Sequence, residues 1–335
     1  MLNLVTGAGG FLGLYITEHL CRAGQRVRAF CRGRYRQLDT LGVETVQGDI
    51  CDHAKLEEAC RGVHTVYHVA GLCGIGERWQ RYYRTNTLGT RCLLAAARKA
   101  GVRKFVYTSS SCVSFDGTDQ RNVDVQETYP RRWLGHYPRS KAMAEESVLR
   151  ANSHGGMLTC SLRPHLIWGP RDNSLIPRLI SRARSGRLRR VGTGQNMVDM
   201  IYVENLAAAH LQAAESLAPN SPTAGNAYFL SHGKPVNCWQ WIDELLTLYG
   251  LPPVKKYLSL PFAWNLGRFF ETVWKLIGWE ADPPMTRFLA GQLGCDHYYD
   301  TSRAERDFGF SPKISKEEGM AALREEFLKS DGRNG

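Results

Sequence analysis

A chain of 335 residues with 43% hydrophobic content can bury one large core or two modest ones. Its formal charge of +11 does not mark a nucleic-acid binder, because no zinc-ligand pattern, helix-turn-helix spacing or basic tail accompanies it. None of the ten cysteines forms a C-x-x-C pair and no uncharged apolar run approaches the ~20 residues of a membrane span, so a metal-ribbon protein and a spanning one are both set aside.

The first element is an apolar strand, Leu2 to Val5, followed by Gly7, Gly10 and Gly13 and then by Leu12, Ile16 and Leu20 at helical spacing. Strand, glycine turn and helix in this order make a phosphate cradle. Gly7 supplies the positive φ of a tight turn, Gly10 leaves room for a pyrophosphate, and Gly13 lets the helix lie close on the sheet. The N–H groups of Phe11 and Leu12 at the helix start face the anion. Gln25 to Phe30 reads as the second strand. Where an NAD enzyme carries an acid at its end, this chain has Cys31, Arg32 and Arg34. Guanidinium groups there suit a 2′-phosphate, so the cofactor expected is NADP(H), with NAD(H) as the alternative.

Val43 to Gln47 is a third strand. Asp49 and Ile50 follow it, Asp49 either accepting from an adenine amino group or capping the helix Lys55 to Arg61. Thr65 to Val69 is a buried strand ending in Ala70 and Gly71, again where cofactor would pass. Leu88 to Ala100 is helical, and Lys104 to Thr108 is a strand ending in Ser109, Ser110 and Ser111. Tyr137 stands at the start of a helix running to Arg150, with Pro138 at its first position and Lys141 one turn in. Thr159 to Leu162 is the next strand, followed by Pro164, His165 and Ile167. Alternating strands and helices predict an α/β protein built on a doubly wound parallel sheet.

Beyond Gly169 the pattern changes. Helices are expected at Pro177 to Ser185, Glu204 to Glu215 and Trp239 to Tyr249, and strands at Met197 to Val203 and Ala227 to Leu230. Residues 1–165 therefore form the dinucleotide domain, to which 196–215 and 226–231 return, and 166–335 form a smaller, mostly helical substrate domain. Leu258 to Trp279 carries six aromatics, with Arg268, Glu271 and Lys275 on one face. It reads as an amphipathic helix covering the core, with a lid over an apolar substrate and a membrane-surface contact as alternatives.

Ser110, Tyr137 and Lys141 form a catalytic set. A ketone reduced by hydride needs a proton on its developing alkoxide, and a phenol can donate one. A nearby ammonium and the helix start are expected to lower the phenol's pKa, Ser110 to hold the carbonyl oxygen, and Lys141 also to bind the nicotinamide ribose. No metal ligand set is present.

These pieces resemble the extended short-chain dehydrogenases/reductases. The resemblance is carried by 6–13, Gly48-Asp49-Ile50, His68-Val69-Ala70-Gly71, Asn86, Tyr107-Thr108-Ser109-Ser110, Tyr137-x-x-x-Lys141, Arg163-Pro164 and the tail 300–312. Within that family the chain is similar to the 3β-hydroxysteroid dehydrogenase branch. Its segments 163–170, 196–199 and 283–288 resemble the bacterial enzymes that reduce 2-alkyl-3-oxoalkanoates.

The resemblance implies a Ser110–Tyr137–Lys141 triad and a cofactor lined also by Val69, Thr108, Pro164 and Ile167. It further implies a bulky hydrophobic ketone or alcohol as substrate and a homodimer joined through Leu88–Ala100 and Ala142–Arg150. The cysteine usage and a first strand at residue 2 lead us to expect a cytoplasmic protein without a leader. Arg171 or His165 is a candidate for meeting a substrate carboxylate. Two other readings stand beside this one. One is a nucleotide-sugar epimerase with tightly held NAD, for which Arg187 to Arg190 would hold UDP. The other is a catalytically silent NADP-binding regulator. Dehydration is set against by the absence of a carboxylate in Ser109-Ser110-Ser111.

Overall fold

The computed structural model describes residues 1–74, 76, 78–125, 129–153, 155–277 and 283–331. Seven parallel strands form the main sheet in the order Ala227–Leu230, Leu158–Pro164, Lys104–Thr108, Thr65–His68, Leu2–Thr6, Arg26–Cys31, Glu44–Gln47. Successive side chains of a strand point to opposite faces, and both faces are buried. Val5, Ala29, Tyr67, Val106 and Cys160 enter one apolar cluster with helices Phe11–Arg22 and Val203–Ser216. Leu4, Phe30, Val66 and Phe105 enter another with His53–Cys60, Gly89–Lys99 and His136–Arg150. That two-sided burial is why these strands read as apolar runs rather than alternating ones. The tail helix Ser302–Phe308 also packs on the first cluster, through Ala304 and Phe308.

The order of strands reverses between Leu2–Thr6 and Thr65–His68, which opens a crevice at their C-terminal ends. The glycine turn lies on one side of that crevice and residues 69–71 on the other.

The remaining residues gather around Trp168, Trp239 and Trp241 in a third cluster. Helices Leu175–Arg184, Cys238–Leu248, Leu260–Ile277, Arg287–Gly294 and Lys316–Asp331 surround it, with a four-stranded sheet of short strands beside them. Three features here depart from expectation. The single strand expected over Met197 to Val203 is two, Met197–Val198 and Ile201–Tyr202, each in a different sheet. The break falls at Asp199, whose buried carboxylate accepts from the Tyr299 N–H at 2.8 Å. The helix expected from Leu88 instead begins at Gly89, after a π-helical turn over Tyr83–Leu88. Finally, Gln120–Val123 leaves the dinucleotide half to join the smaller sheet beside His297–Tyr299.

Candidate active site

The glycine turn has the geometry its sequence implies. Gly7 sits at φ +70°, and a Cβ there would lie 2.9 Å from the Ala70 backbone. A Cβ on Gly13 would lie 2.1 Å from the Gly7 carbonyl oxygen, so helix and turn touch backbone to backbone. Gly10 begins the helix without any side-chain cap, leaving the first-turn N–H groups of Phe11, Leu12 and Gly13 for an anion. The residues present therefore fit a dinucleotide pyrophosphate.

The opposite wall, Val69 to Leu72, is pinned by two polar chains. The Val69 and Ala70 N–H groups each donate to Thr6 Oγ1 at 3.2 Å. Thr90 donates to the Asn86 carbonyl at 2.6 Å, so it accepts from His68 Nε2; His68 Nδ1 then accepts from Thr6 Oγ1. His68 is thereby neutral, and burial drives its pKa down to about 3. Asn86 holds the next residue by both backbone groups: its Oδ1 accepts from Leu72 N–H at 2.7 Å and its Nδ2 donates to Leu72 O at 3.0 Å. The same Nδ2 donates to Ser140 Oγ at 2.9 Å, which ties this wall to the first turn of the Tyr137 helix. The π-helical turn is what aims Asn86 inward, a local distortion of the kind that collects at functional sites. Its role was not legible in the sequence, where Asn86 was only one letter of a motif.

The three serines after strand Lys104–Thr108 point three ways. Ser109 is buried on the Glu145 side. Ser111 lies 2.6 Å from His165 Nδ1. Only Ser110 faces Tyr137. The Cys73 sulfur lies 4.0 Å from the same Tyr137 hydroxyl. Thus Ser110 and Tyr137 meet, as the sequence reading requires.

Lys141 is held differently from the expectation. Its Nζ donates to the Thr108 carbonyl at 2.6 Å and sits 4.3 Å from the centre of the Tyr107 ring. Burial lowers its pKa to about 8. Burial likewise pushes the Tyr137 phenol well above 10, with only the Ser110 hydrogen bond opposing. Burial, not the ammonium, dominates at the phenol, and Lys141 spends a proton on the Thr108 carbonyl rather than on Tyr137. Thr108 is committed on both sides, its carbonyl to Lys141 and its hydroxyl to His210 Nε2 at 2.7 Å.

One turn beyond Lys141, Glu145 is fully buried in an ion pair with Arg163 at 2.7 Å. Tyr129 and Ser161 donate to the same carboxylate. Burial opposes the charge on Glu145, yet the Arg163 guanidinium wins and the pKa falls. This pair anchors the Tyr137 helix to strand Leu158–Pro164.

Other expectations change. His165 does not reach a substrate carboxylate. It is buried between Ser111 and His297, its Nε2 2.6 Å from His297 Nδ1. The His297 Nε2–H donates to the Gln292 carbonyl, so both rings are neutral donors at Nε2, and burial depresses both pKa values. Arg171 is also excluded from the site: it grips Glu18 at 2.6 Å and stacks over Tyr15. Asp49 makes a local turn with the Cys51 N–H, and the helix cap nearby belongs to Asp52. Ile50 is buried, filling the space a Gly89 Cβ would take. Pro164 ends its strand and Ile167 pairs with Ile201; between them Leu166 adopts φ +35°, turning the chain out of the main sheet.

At the strand end proposed for the ribose, Arg32 is exposed, with no acceptor for its guanidinium among the described residues. Arg34 instead donates to Asp39 at 3.0 Å. A residue the sequence reading missed, Tyr35, lays its ring where a Gly9 Cβ would stand, 2.2 Å from that position. Of the arginine cluster, Arg190 is paired with Asp243 and Arg189 donates to the Gly186 and Leu188 carbonyls. Among the described residues no group of three or more His, Cys, Asp or Glu is placed to hold a metal.

The 3-beta hydroxysteroid dehydrogenase/isomerase family matches this chain over residues 4–262. A 2-alkyl-3-oxoalkanoate reductase of Shewanella oneidensis is 41% identical over 327 residues, spanning 96% of this chain and 84% of the relative. A decarboxylating sterol-4-alpha-carboxylate 3-dehydrogenase of Mus musculus is 31% identical, spanning 96% and 90%. Among solved structures, MoeE5 in complex with UDP-glucose and NAD is similar with a TM-score of 0.75 and 25% identity, covering 98% of this chain and 99% of that one.

Proposed function

We propose that this chain, which belongs to the 3-beta hydroxysteroid dehydrogenase/isomerase family, reduces a 3-oxo group on a bulky apolar substrate with NADPH. That it is a nicotinamide-dependent oxidoreductase follows from its relatives. The observation that carries the finer reading is the meeting of Tyr137, Ser110 and Lys141 at the strand ends beside Gly71. Bound dinucleotide supplies hydride to the carbonyl carbon. Tyr137 gives its proton to the oxygen that gains charge, and Ser110 holds that oxygen in line. Lys141, anchored on Thr108 beneath Gly71, binds the ribose and keeps positive charge beside the site.

Arg32, in a strand end without an acid, supports NADPH over NADH. The names of the relatives support a 2-alkyl-3-oxo acid as substrate, with a 3-oxosteroid as the second choice. The likeness to MoeE5, solved with UDP-glucose and NAD, supports a UDP-sugar as the competing substrate; the engagement of Arg189 and Arg190 within the protein weighs against it. We further propose a cytoplasmic homodimer paired through Gly89–Lys99 and His136–Arg150.

The test is a panel of a 2-alkyl-3-oxo acid, a 3-oxosteroid and UDP-glucose, each with NADPH and with NADH, followed at the nicotinamide absorbance. Stoichiometric NADPH consumption with the oxo acid is expected. Conversion of the UDP-sugar alone, without net cofactor consumption, overturns the reductase reading in favour of the epimerase.

A further inference from the structure

Ser110 does not set its own aim. It caps the short 3-10 helix Ser111–Ser114, its Oγ accepting from the Cys112 N–H at 3.3 Å. The Ser109 N–H just before it donates to the Leu162 carbonyl at 2.7 Å. That arrangement fixes the Oγ position and leaves the hydroxyl proton to donate to a substrate oxygen. A shift of the short helix therefore moves the Ser110 hydroxyl with it.

Two buried chains hold that helix, and both end in the C-terminal part of the molecule. In the first, Ser111 Oγ lies 2.6 Å from His165 Nδ1, and His165 Nε2 lies 2.6 Å from His297 Nδ1. The His297 Nε2–H donates to the Gln292 carbonyl at 2.8 Å, on helix Arg287–Gly294. A carbonyl can only accept, so with both rings neutral each proton has one place: Ser111 donates to His165, and His165 to His297. In the second chain, Ser114 Oγ donates to the Ser111 carbonyl at 3.0 Å and Gln120 Nε2 to the Ser114 carbonyl at 2.7 Å. The Tyr299 hydroxyl donates to Gln120 Oε1 at 3.1 Å. His297 and Tyr299 are the two ends of one short strand. The backbone beside His165 is fixed as well. Leu166 adopts φ +35°, a left-handed conformation that a leucine rarely takes, and its carbonyl accepts from the Ile201 N–H at 3.2 Å.

We infer that His165 and His297 are positioning residues. Through Ser111 they aim the Ser110 hydroxyl at the reacting oxygen, so that strand His297–Tyr299 sets the geometry of a serine in the dinucleotide half. The inference rests on the carbonyl-holding role proposed above for Ser110. Neither histidine touches the reacting atoms; both act at one remove. Apolar side chains would fill the same space without the cost of burying polar groups. They would not fix the rotation of the Ser111 hydroxyl or hold the short helix against the neighbouring strand.

Hydrogen–deuterium exchange on the whole protein reads the positioning without any substrate. In His297→Leu, and in the milder Ser111→Ala, exchange is expected to rise over 109–115 and to stay unchanged over the glycine turn, 5–14. No rise over 109–115, or an equal rise along the whole chain in both variants, overturns the proposal. Kinetics with whichever panel substrate the chain reduces reads the consequence. His297→Leu is expected to lower kcat by about 10–10²-fold with NADPH affinity unchanged. Because His297 acts through Ser110, the same change made in a Ser110→Ala chain should cost less than about twofold. His297→Asn, whose Oδ1 can accept from the His165 Nε2–H, should recover most of the rate. An equal loss with and without the Ser110 hydroxyl, or a loss confined to cofactor binding, makes the histidines structural and overturns the proposal. If the wild-type chain reduces none of the panel, the proposed reaction falls, and the exchange result alone decides the positioning.

Discussion

The two halves of this molecule both use glycine for close packing but differ in where they leave large apolar side chains. In the sheet half, glycines bring backbone to backbone: a Cβ on Gly13 has 2.1 Å to the Gly7 carbonyl, and Gly7 needs φ +70°. Its large side chains, among them Phe30, Phe105 and Tyr107, are fully buried. In the C-terminal part, Gly267 lets a helix settle closely, but the same helix leaves Phe262, Phe269 and Leu276 in the open. The first half sets backbone against backbone around the crevice, while one helix of the second leaves apolar side chains in the open. Substitutions should therefore be costly at the glycine turn of the first and nearly silent for folding on the exposed arc of helix Leu260–Ile277 in the second.

The sharpest way to break that contrast is at Tyr137. Tyr137→Phe is expected to lower the rate of 3-oxo reduction by ~10²–10⁴-fold with NADPH affinity unchanged, because it removes only the proton. Steady-state kinetics with a fluorescence titration of NADPH reads both. Next comes Gly13→Ala, whose new methyl meets backbone rather than a flexible side chain. Thermal or urea unfolding should show a loss of about 1–3 kcal/mol or more, and cofactor binding should fail with it.

Acid should act mainly through buried histidines. His68, held to about 3, His210, held to about 4, and the His165–His297 pair are depressed by burial, so the folded state resists protonation that the unfolded state accepts. Their contribution is fully present above pH 6.5 and is lost as pH falls below it, by about 1.4 kcal/mol per pH unit for each histidine that stays neutral. Asp199, raised to about 6 by burial, works in the opposite direction. Melting temperatures measured from neutral pH downward should fall; a flat profile contradicts the neutral-histidine chains. On the alkaline side, activity should decline as Lys141, near 8, loses its charge.

A smaller effect is expected at Arg32→Ala, which should shift the NADPH-to-NADH preference about tenfold toward NADH. The smallest is Phe262→Ser. In the exposed arc it should alter unfolding free energy by no more than about 0.5 kcal/mol. A large loss there would mean that the arc is covered in the folded protein.

The same contrast explains what could be read from the sequence. The strand–turn–helix of the first 22 residues, the strand ends at Ala70 and Ser110, and the Tyr137–Lys141 spacing are local patterns, and local patterns survive as letters. The Asn86 clamp joins residues 14 and 54 positions apart, and the His165–His297 contact spans 132; no periodicity announces such pairs. Arg171 and His165 looked available because they are polar residues near a strand end, yet each is committed to a distant partner. The order of phenol and ammonium was legible, but the balance of desolvation against charge was not, since it depends on how deeply the fold buries both. For the aromatic segment, periodicity gave one amphipathic helix, and the structure shows that its apolar face is wider than the core it covers. Trp279, counted in that segment, lies outside the described residues.

The central claim is hydride delivery to a 3-oxo carbon with Tyr137 as proton donor. Its most direct test is reduction of a 2-alkyl-3-oxo acid by NADPH deuterated at the transferable position of the nicotinamide, with the product analysed by mass spectrometry. The account predicts a 3-hydroxy acid bearing deuterium at its carbinol carbon, formed by the wild-type chain and not by Tyr137→Phe. Deuterium transfer undiminished in Tyr137→Phe, or an unlabelled NADPH-sparing conversion of a sugar nucleotide in its place, would contradict it.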